Sequence, residues 1–306
     1  AVALGPIVGG LLLEHFWWGS VFFINVPIVI IGVIGILLVV PETKNPHPGR
    51  LDPVGLVLSI IGLLAVVYGI QEAGWGKAST YVWIGAGVLV LVGFVWFEAK
   101  TSHPSLDLSL FKIRSFSVPL TGVSLAFAAL QGSLLFLAFY YQIVRGWSPL
   151  QSGLLTLPFA VGQLIAAPRS AKMVARFGAR RVIPFGIIVA TLAMLGIATL
   201  NVDAPVWYLV LVGFLFGFGL GNVIAPSTTR MTLAMPPARS GSGSAVQNTV
   251  RQVAAALGVA IISSIVANVY ASNITSELDG SALPPQLKEV ASDSIGATFE
   301  VAAQVQ

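Results

Sequence analysis

The 306-residue chain contains no cysteine and only three histidines. No disulfide can staple it and no thiolate can hold a metal. His15, His47 and His103 fall in separate gaps between apolar runs. They suggest neither a metal centre nor a nucleophilic triad, and no cofactor is expected. No glycine-rich phosphate loop followed by lysine occurs, which argues against ATP hydrolysis by this chain. Charge is scarce as well, at 9% of residues, against about 25% in soluble domains. Such a chain cannot cover a water-facing surface. Lipid is its solvent, and helices satisfy every backbone group inside it. Barrel strands would be shorter and would alternate in polarity.

What is present is a series of nine apolar runs, at 1–13, 20–40, 53–70, 81–98, 116–141, 149–168, 182–200, 206–229 and 243–270. Eight approach or exceed the roughly 20 residues that cross a bilayer as helix. The first is about half a span. The fold expected is an all-α, polytopic membrane bundle.

The basic residues orient it. The gaps 41–52, 99–115, 169–181 and 230–241 hold twelve of the sixteen lysines and arginines. The positive-inside rule places these gaps in the cytoplasm. The net charge of +4 therefore reports topology and gives no argument for nucleic-acid binding. Six of the seven tryptophans (Trp17, Trp18, Trp75, Trp83, Trp147 and Trp207) fall at outer helix ends, and Trp96 falls at an inner end. Indole rings favour the membrane interface.

Gly5-Pro6-Ile7-Val8-Gly9-Gly10 lies in the first run. Proline kinks a helix, and Gly5 and Gly9, four apart, let another backbone approach closely. A kinked, tightly packed helix seals a path, although glycine and proline are also ordinary in membrane helices. Phe22-Phe23-Ile24-Asn25-Val26-Pro27 follows after Trp17-Trp18. On these residues the chain resembles the major facilitator superfamily, and within it the 14-helix drug:proton antiporter group. The resemblance places Gly5, Pro6, Gly9 and Gly10 on that group's antiporter motif in helix five, with Ala1 where a glycine is usual.

Further segments extend the likeness: Arg50-Leu51-Asp52-Pro53-Val54-Gly55, Gly146-Trp147-Ser148-Pro149, Gly217-Phe218-Gly219-Leu220-Gly221, and Asn248-Thr249-Val250-Arg251-Gln252. By that count the chain runs from late helix five to just before helix fourteen, without helices one to four. The expected divisions are 1–40 (end of the N-terminal bundle), 41–115 (cytoplasmic link and two extra helices), 116–270 (C-terminal bundle) and 271–306 (external loop or tail).

Residues 171–181 resemble the second copy of the superfamily's cytoplasmic loop. Arg176, Gly178, Arg180 and Arg181 match it, whereas Ala171 and Ala175 replace its glycine and its acid. Loss of the acid puts an ion-pair latch in doubt, and gating and simple positive-inside anchoring both fit the arginines. Gly213, Gly217 and Gly221 form a small-residue stripe for helix packing.

Polar side chains inside spans are costly and face the bundle interior. Gln131, Gln163, Asn222, Tyr140, Gln142 and Arg251 are the cavity candidates, with interhelical hydrogen bonding as the competing role for the amides. Arg251 is the one charge well inside a span, and snorkelling to the cytoplasmic face is its competing account.

The resemblance implies a plasma-membrane secondary transporter that exports hydrophobic or cationic drug-like compounds against protons by alternating access. A uniporter or symporter of the same fold, or a non-transport protein such as a receptor, is the alternative. An enzyme would need paired acids or histidines within spans, and none occur. All twelve acids fall in loops, the tail or span ends. None is expected to be buried, and the proton carrier is therefore expected in the absent first helices.

Overall fold

The computed structural model describes residues 4–39, 41, 52–71, 78–101, 106, 108–235 and 240–279, without the side chains of Leu4, Pro6, Ser240 and 275–279. Every regular element in this set is helical. The elements are α1 (Leu4–His15), α2 (Ser20–Phe23), α3 (Asn25–Val39), α4 (Pro53–Gln71), α5 (Ala78–Lys100), a 3-10 turn (Leu108–Lys112), α6 (Arg114–Phe139), a π-helical turn (Tyr140–Val144), α7 (Pro149–Leu154), α8 (Leu157–Phe177), α9 (Ala179–Ala198), α10 (Val206–Leu233) and α11 (Ser240–Asp279).

Eight segments are long and apolar enough to span a membrane: Ser20–Val39, Pro53–Gln71, Ala78–Lys100, Arg114–Val144, Pro149–Phe177, Ala179–Ala198, Val206–Leu233 and Gly241–Ile274. They coincide with the eight long runs of the sequence. The chain is an all-α, multi-pass membrane protein.

Two boundaries differ from expectation. The basic gap 169–181 is not a loop, because α8 continues to Phe177 and α9 begins at Ala179. Helix α11 also runs past residue 270 to Asp279. The rest of the expected external segment, 280–306, lies outside the described residues. So do Arg50-Leu51, Trp75 and His103.

The helices group into two compact units, 1–51 with 109–126 and 137–247, and 52–108 with 127–136 and 248–306. In the first unit α10 packs against both α8 and α9. Bare glycines permit the approach. A Cβ on Gly217 would collide with the Phe159 carbonyl of α8, and one on Gly221 would sit 2.7 Å from the Ala166 Cβ. On the other face, a Cβ on Gly219 would lie 2.8 Å from the Gly186 oxygen of α9. Close helix contact in lipid depends on such packing, since no hydrophobic effect separates helices from acyl chains.

In the second unit α4 and α5 form an antiparallel hairpin. Gly55, Gly62 and Gly69, seven residues apart, are the buried positions of α4 together with Val66. A Cβ on Gly62 would meet Leu91, and one on Gly69 would lie 2.9 Å from Ile84. The seven-residue repeat keeps one seam facing its partner along the whole helix. Elsewhere in this unit α6 and α11 run parallel and touch where Gly132 faces Ile262 and Gly258 faces Ala128.

Candidate functional site

Helix α1 carries the Gly-Pro-x-x-Gly-Gly segment. Its close contact is with α7 and falls at Gly10, which is buried. A Cβ there would lie 2.6 Å from the Pro149 oxygen and 2.8 Å from the Leu150 Cα. Gly5 and Gly9, expected from their spacing to be the approach points, have no atom within 4 Å of a built Cβ. The contact is backbone to backbone, so only glycine fits without displacement. The α7 end of it is fixed by local chemistry. The Ser148 Oγ accepts from the Gln151 N–H at 3.3 Å, while the Gln151 Oε1 accepts from the Ser148 N–H at 3.0 Å. With Pro149 at the first helical position, this is a capping box that sets where α7 starts.

The C-terminal end of α6 is tied to the turn between α9 and α10. The Tyr140 hydroxyl donates to the Asn201 carbonyl at 2.6 Å. Arg145 Nη1 donates to the carbonyls of Val202 (2.6 Å) and Ala204 (2.8 Å), and its guanidinium lies 4.5 Å from the Trp147 ring centroid. Tyr140, expected at a cavity mouth, is thus a buried loop anchor. Gln142 is exposed in the π-helical turn beside it. Arg145 had no sequence signal beyond its place in an external gap.

In the basic gap expected on the cytoplasmic side, a single residue, Gly178, joins α8 to α9. Its φ of 78° and ψ of 149° fall in a region that only glycine occupies readily. Its N–H donates to the Val174 carbonyl, closing α8, and its own carbonyl accepts from the Val182 N–H, opening α9. Arg176 lies over the Phe177 ring at 5.2 Å, and Arg180 and Arg181 are exposed.

Among the amides, Gln131 is exposed on α6 and Gln163 is half-buried on α8. Asn222 is wholly buried on α10. Its Nδ2 donates to the Phe218 carbonyl at 2.9 Å, and its Cβ faces Gly186 of α9. A Cβ on Gly213 would lie at ordinary contact distance, 3.8 Å, from the Pro158 Cβ.

Arg251 is only partly exposed. Its Nη2 donates to the Asn248 Oδ1 at 2.6 Å, and its Cζ sits 4.7 Å from the Phe127 ring centroid on α6. The charge ends on neighbouring protein groups. A mid-span arginine costs about 2.5–3.5 kcal/mol on insertion scales. A hydrogen bond from a charged donor, about 1.5–3 kcal/mol, and the cation–π contact offset much of that.

One acid overturns an expectation. Glu98 of α5 is buried at 2% exposure. Its Oε2 accepts from the Leu106 N–H at 3.3 Å. The Asp52 Oδ1 accepts from the Gly55 N–H at 2.9 Å, which caps α4. A Cβ on Gly55 would lie 2.6 Å from the Asp52 Oδ2 and 2.7 Å from the Glu98 Oε1. Both carboxyl groups converge on this one bare Cα. Glu98 shares the α5 face of Gly87 and Phe94, and that spacing was the available signal. Its position at the end of an apolar run concealed it.

Comparison with known proteins agrees with this architecture. The sequence profile of the Major Facilitator Superfamily matches residues 1–259. The multidrug efflux pump LfrA of Mycolicibacterium smegmatis is 34% identical over 99% of this chain and 60% of its own length. The multidrug resistance protein Stp of Mycobacterium tuberculosis is 30% identical, over 95% and 55% respectively. The methyl viologen resistance protein SmvA of Salmonella typhimurium is 32% identical, over 89% and 56%. The chain thus spans little more than half the length of these curated relatives. With eight bilayer-length helices, glycine-mediated helix contacts and a profile match over most of its length, this chain belongs to the Major Facilitator Superfamily.

Proposed function

We propose that the protein is a proton-driven exporter of hydrophobic or cationic drug-like compounds in the plasma membrane, working by alternating access. The observation that carries this reading is the Gly10 contact. The helix with the antiporter-type motif is pressed backbone to backbone on the start of α7 at Gly10, which supports a packing rather than a pore-lining role for that helix. The names of the relatives, two for multidrug transport or resistance and one for methyl viologen resistance, support a drug-like substrate.

In this reading Gln131, Gln163, Gln142 and Arg251 offer polar contacts to substrate. Tyr140 and Asn222 hold the helices that carry such contacts. The arginines Arg176, Arg180 and Arg181 lie at a cytoplasmic hinge centred on Gly178. The divisions 1–40, 41–115 and 116–270 correspond to the end of one bundle, a two-helix insertion and the second bundle.

Cells expressing the full-length protein should accumulate less of a lipophilic cationic dye than cells without it, and a proton uncoupler should abolish the difference. Export that survives collapse of the proton gradient excludes antiport. Absence of any difference with verified membrane protein excludes export of that dye class.

A further inference from the structure

We propose that the basic end shared by α8, α9 and α10 is a docking site for anionic phospholipid headgroups, whose phosphates supply the acidic partner that this part of the chain lacks. Such a site is separate from the transport reading and holds whatever the substrate is.

Residues 169–181 carry Arg169, Lys172, Arg176, Arg180 and Arg181 and no acid. Orientation in a membrane needs only a bias of basic residues. The other basic gaps hold two or three, partly offset by Glu42 and Asp52 in 41–52 and by Asp107 in 99–115. Helix stability does not account for the excess. Arg180 and Arg181 fall in the first turn of α9, which contains no acid, at the end where the helix dipole disfavours cations.

The fold holds these charges at one level. Helix α8 runs unbroken through Arg169, Lys172 and Arg176, and their i, i+3, i+7 spacing sets them on one face. Along α10, Gly217 and then Gly221 meet Phe159 and then Ala166 of α8. Val212 and then Gly219 meet Gly196 and then Gly186 of α9. Helices α8 and α10 therefore run parallel and end where α9 begins. Arg230 and Arg176 lie about equally far past the Gly221–Ala166 contact, roughly 14 Å along their helices.

No protein group neutralises this surface. Among the described residues, no carboxylate lies within ion-pair distance of Arg169, Lys172, Arg176, Arg180, Arg181 or Arg230, and all six are exposed. Arg176 has only the Phe177 ring beside it, at 5.2 Å, and Phe177 is itself exposed. Over less than two turns the exposed surface of α8 changes from Leu164 to Arg169 and Lys172. An apolar surface that gives way to a cationic one suits a molecule with acyl chains and a phosphate. A soluble anion would use the cations alone. Each lysine or arginine near such a headgroup layer strengthens anionic lipid binding about fivefold.

The test uses purified full-length protein in detergent with equal amounts of phosphatidylglycerol and phosphatidylcholine of the same acyl chains. Native mass spectrometry reads the ratio of the two lipids retained. The wild type should favour phosphatidylglycerol roughly 10- to 100-fold, the effect of two or three cations. Arg169→Gln, Lys172→Gln and Arg176→Gln combined should bring the ratio close to parity. If that variant does not stay folded in a thermal melt, the single substitutions decide, each losing about fivefold. Lys100→Gln, Lys112→Gln and Arg114→Gln combined remove the same charge from another basic gap and should keep the wild-type ratio. Excess glycerol 3-phosphate should displace no lipid.

Parity in the wild type overturns the proposal. So does an equal fall in the Lys100, Lys112 and Arg114 variant, because the attraction is then a matter of total charge. Displacement by glycerol 3-phosphate overturns it as well, since the surface would then take soluble phosphates.

Discussion

At the scale of single residues, the informative positions are those where a missing side chain is required. Gly10 and Gly178 are such positions for different reasons. At Gly10 the obstacle is another backbone, the Pro149 carbonyl at 2.6 Å from a built Cβ. Gly10→Ala should therefore force α1 away from α7, at a cost of about 1–3 kcal/mol, the range for overpacked sites. Gly5→Ala and Gly9→Ala meet open space and should leave stability and dye export close to wild type. Thermal unfolding and export of the three variants in the full-length protein would check this. Equal loss from all three would mean that helix shape rather than contact governs the motif. At Gly178 the obstacle is the backbone conformation itself. Gly178→Ala should destabilise by about 1–3 kcal/mol and lower the melting temperature although nothing lies near its Cβ. The Gly-Pro-x-x-Gly-Gly segment was conspicuous in the sequence, but which glycine touches a partner was not. Spacing marks the faces of a helix and does not say which face meets a neighbour.

At the scale of elements, two arrangements invite tests. In the α4–α5 hairpin the seven-residue glycine repeat and the buried Glu98 act along one seam. Glu98→Gln keeps an oxygen acceptor for the Leu106 N–H, so proton-coupled export should persist in that variant. If proton movement is lost while drug binding and folding remain, the proton carrier is in this hairpin. Beyond the C-terminal end of α6, Arg145 bonds two carbonyls of the α9–α10 turn. Arg145→Ala should cost about 1–3 kcal/mol through those freed acceptors and raise hydrogen exchange at residues 201–204. Unchanged exchange there would show that Tyr140 suffices. The extents of the spans were legible because hydropathy and bilayer thickness act on every residue of a run. The Arg145 and Tyr140 anchors were not, because they join residues about sixty positions apart. The π-helical turn left no pattern distinct from the α-helix it extends.

For the whole molecule, the alternation of basic gaps predicts the direction of each span, and the structure chooses better reporters than sequence alone. Val202 is exposed on the turn expected outside, and Arg180 is exposed on the side expected inside. In this cysteine-free chain, Val202→Cys should react with an impermeant thiol reagent in intact cells. Arg180→Cys should react only after permeabilisation. The reverse pattern would invert every span. Ala179, a neighbouring choice, is buried and would stay silent on either side. Membership in the superfamily was readable from motifs scattered along the chain, since each is set by backbone demands that tolerate few residue types. The substrate was not, because apolar packing accepts many side chains of similar size.

The one-residue turn at Gly178 also bears on how the face expected in the cytoplasm meets a protease. Residues 169–181 carry Arg169, Lys172, Arg176, Arg180 and Arg181, five bonds that trypsin would cut in an unfolded chain. Proteases act on exposed, loosely held loop tips, and here helix is interrupted by a single glycine whose N–H and carbonyl are both engaged. Inverted vesicles treated with trypsin should keep α8 and α9 joined as one fragment, and cleavage between them should report local unfolding of that hairpin.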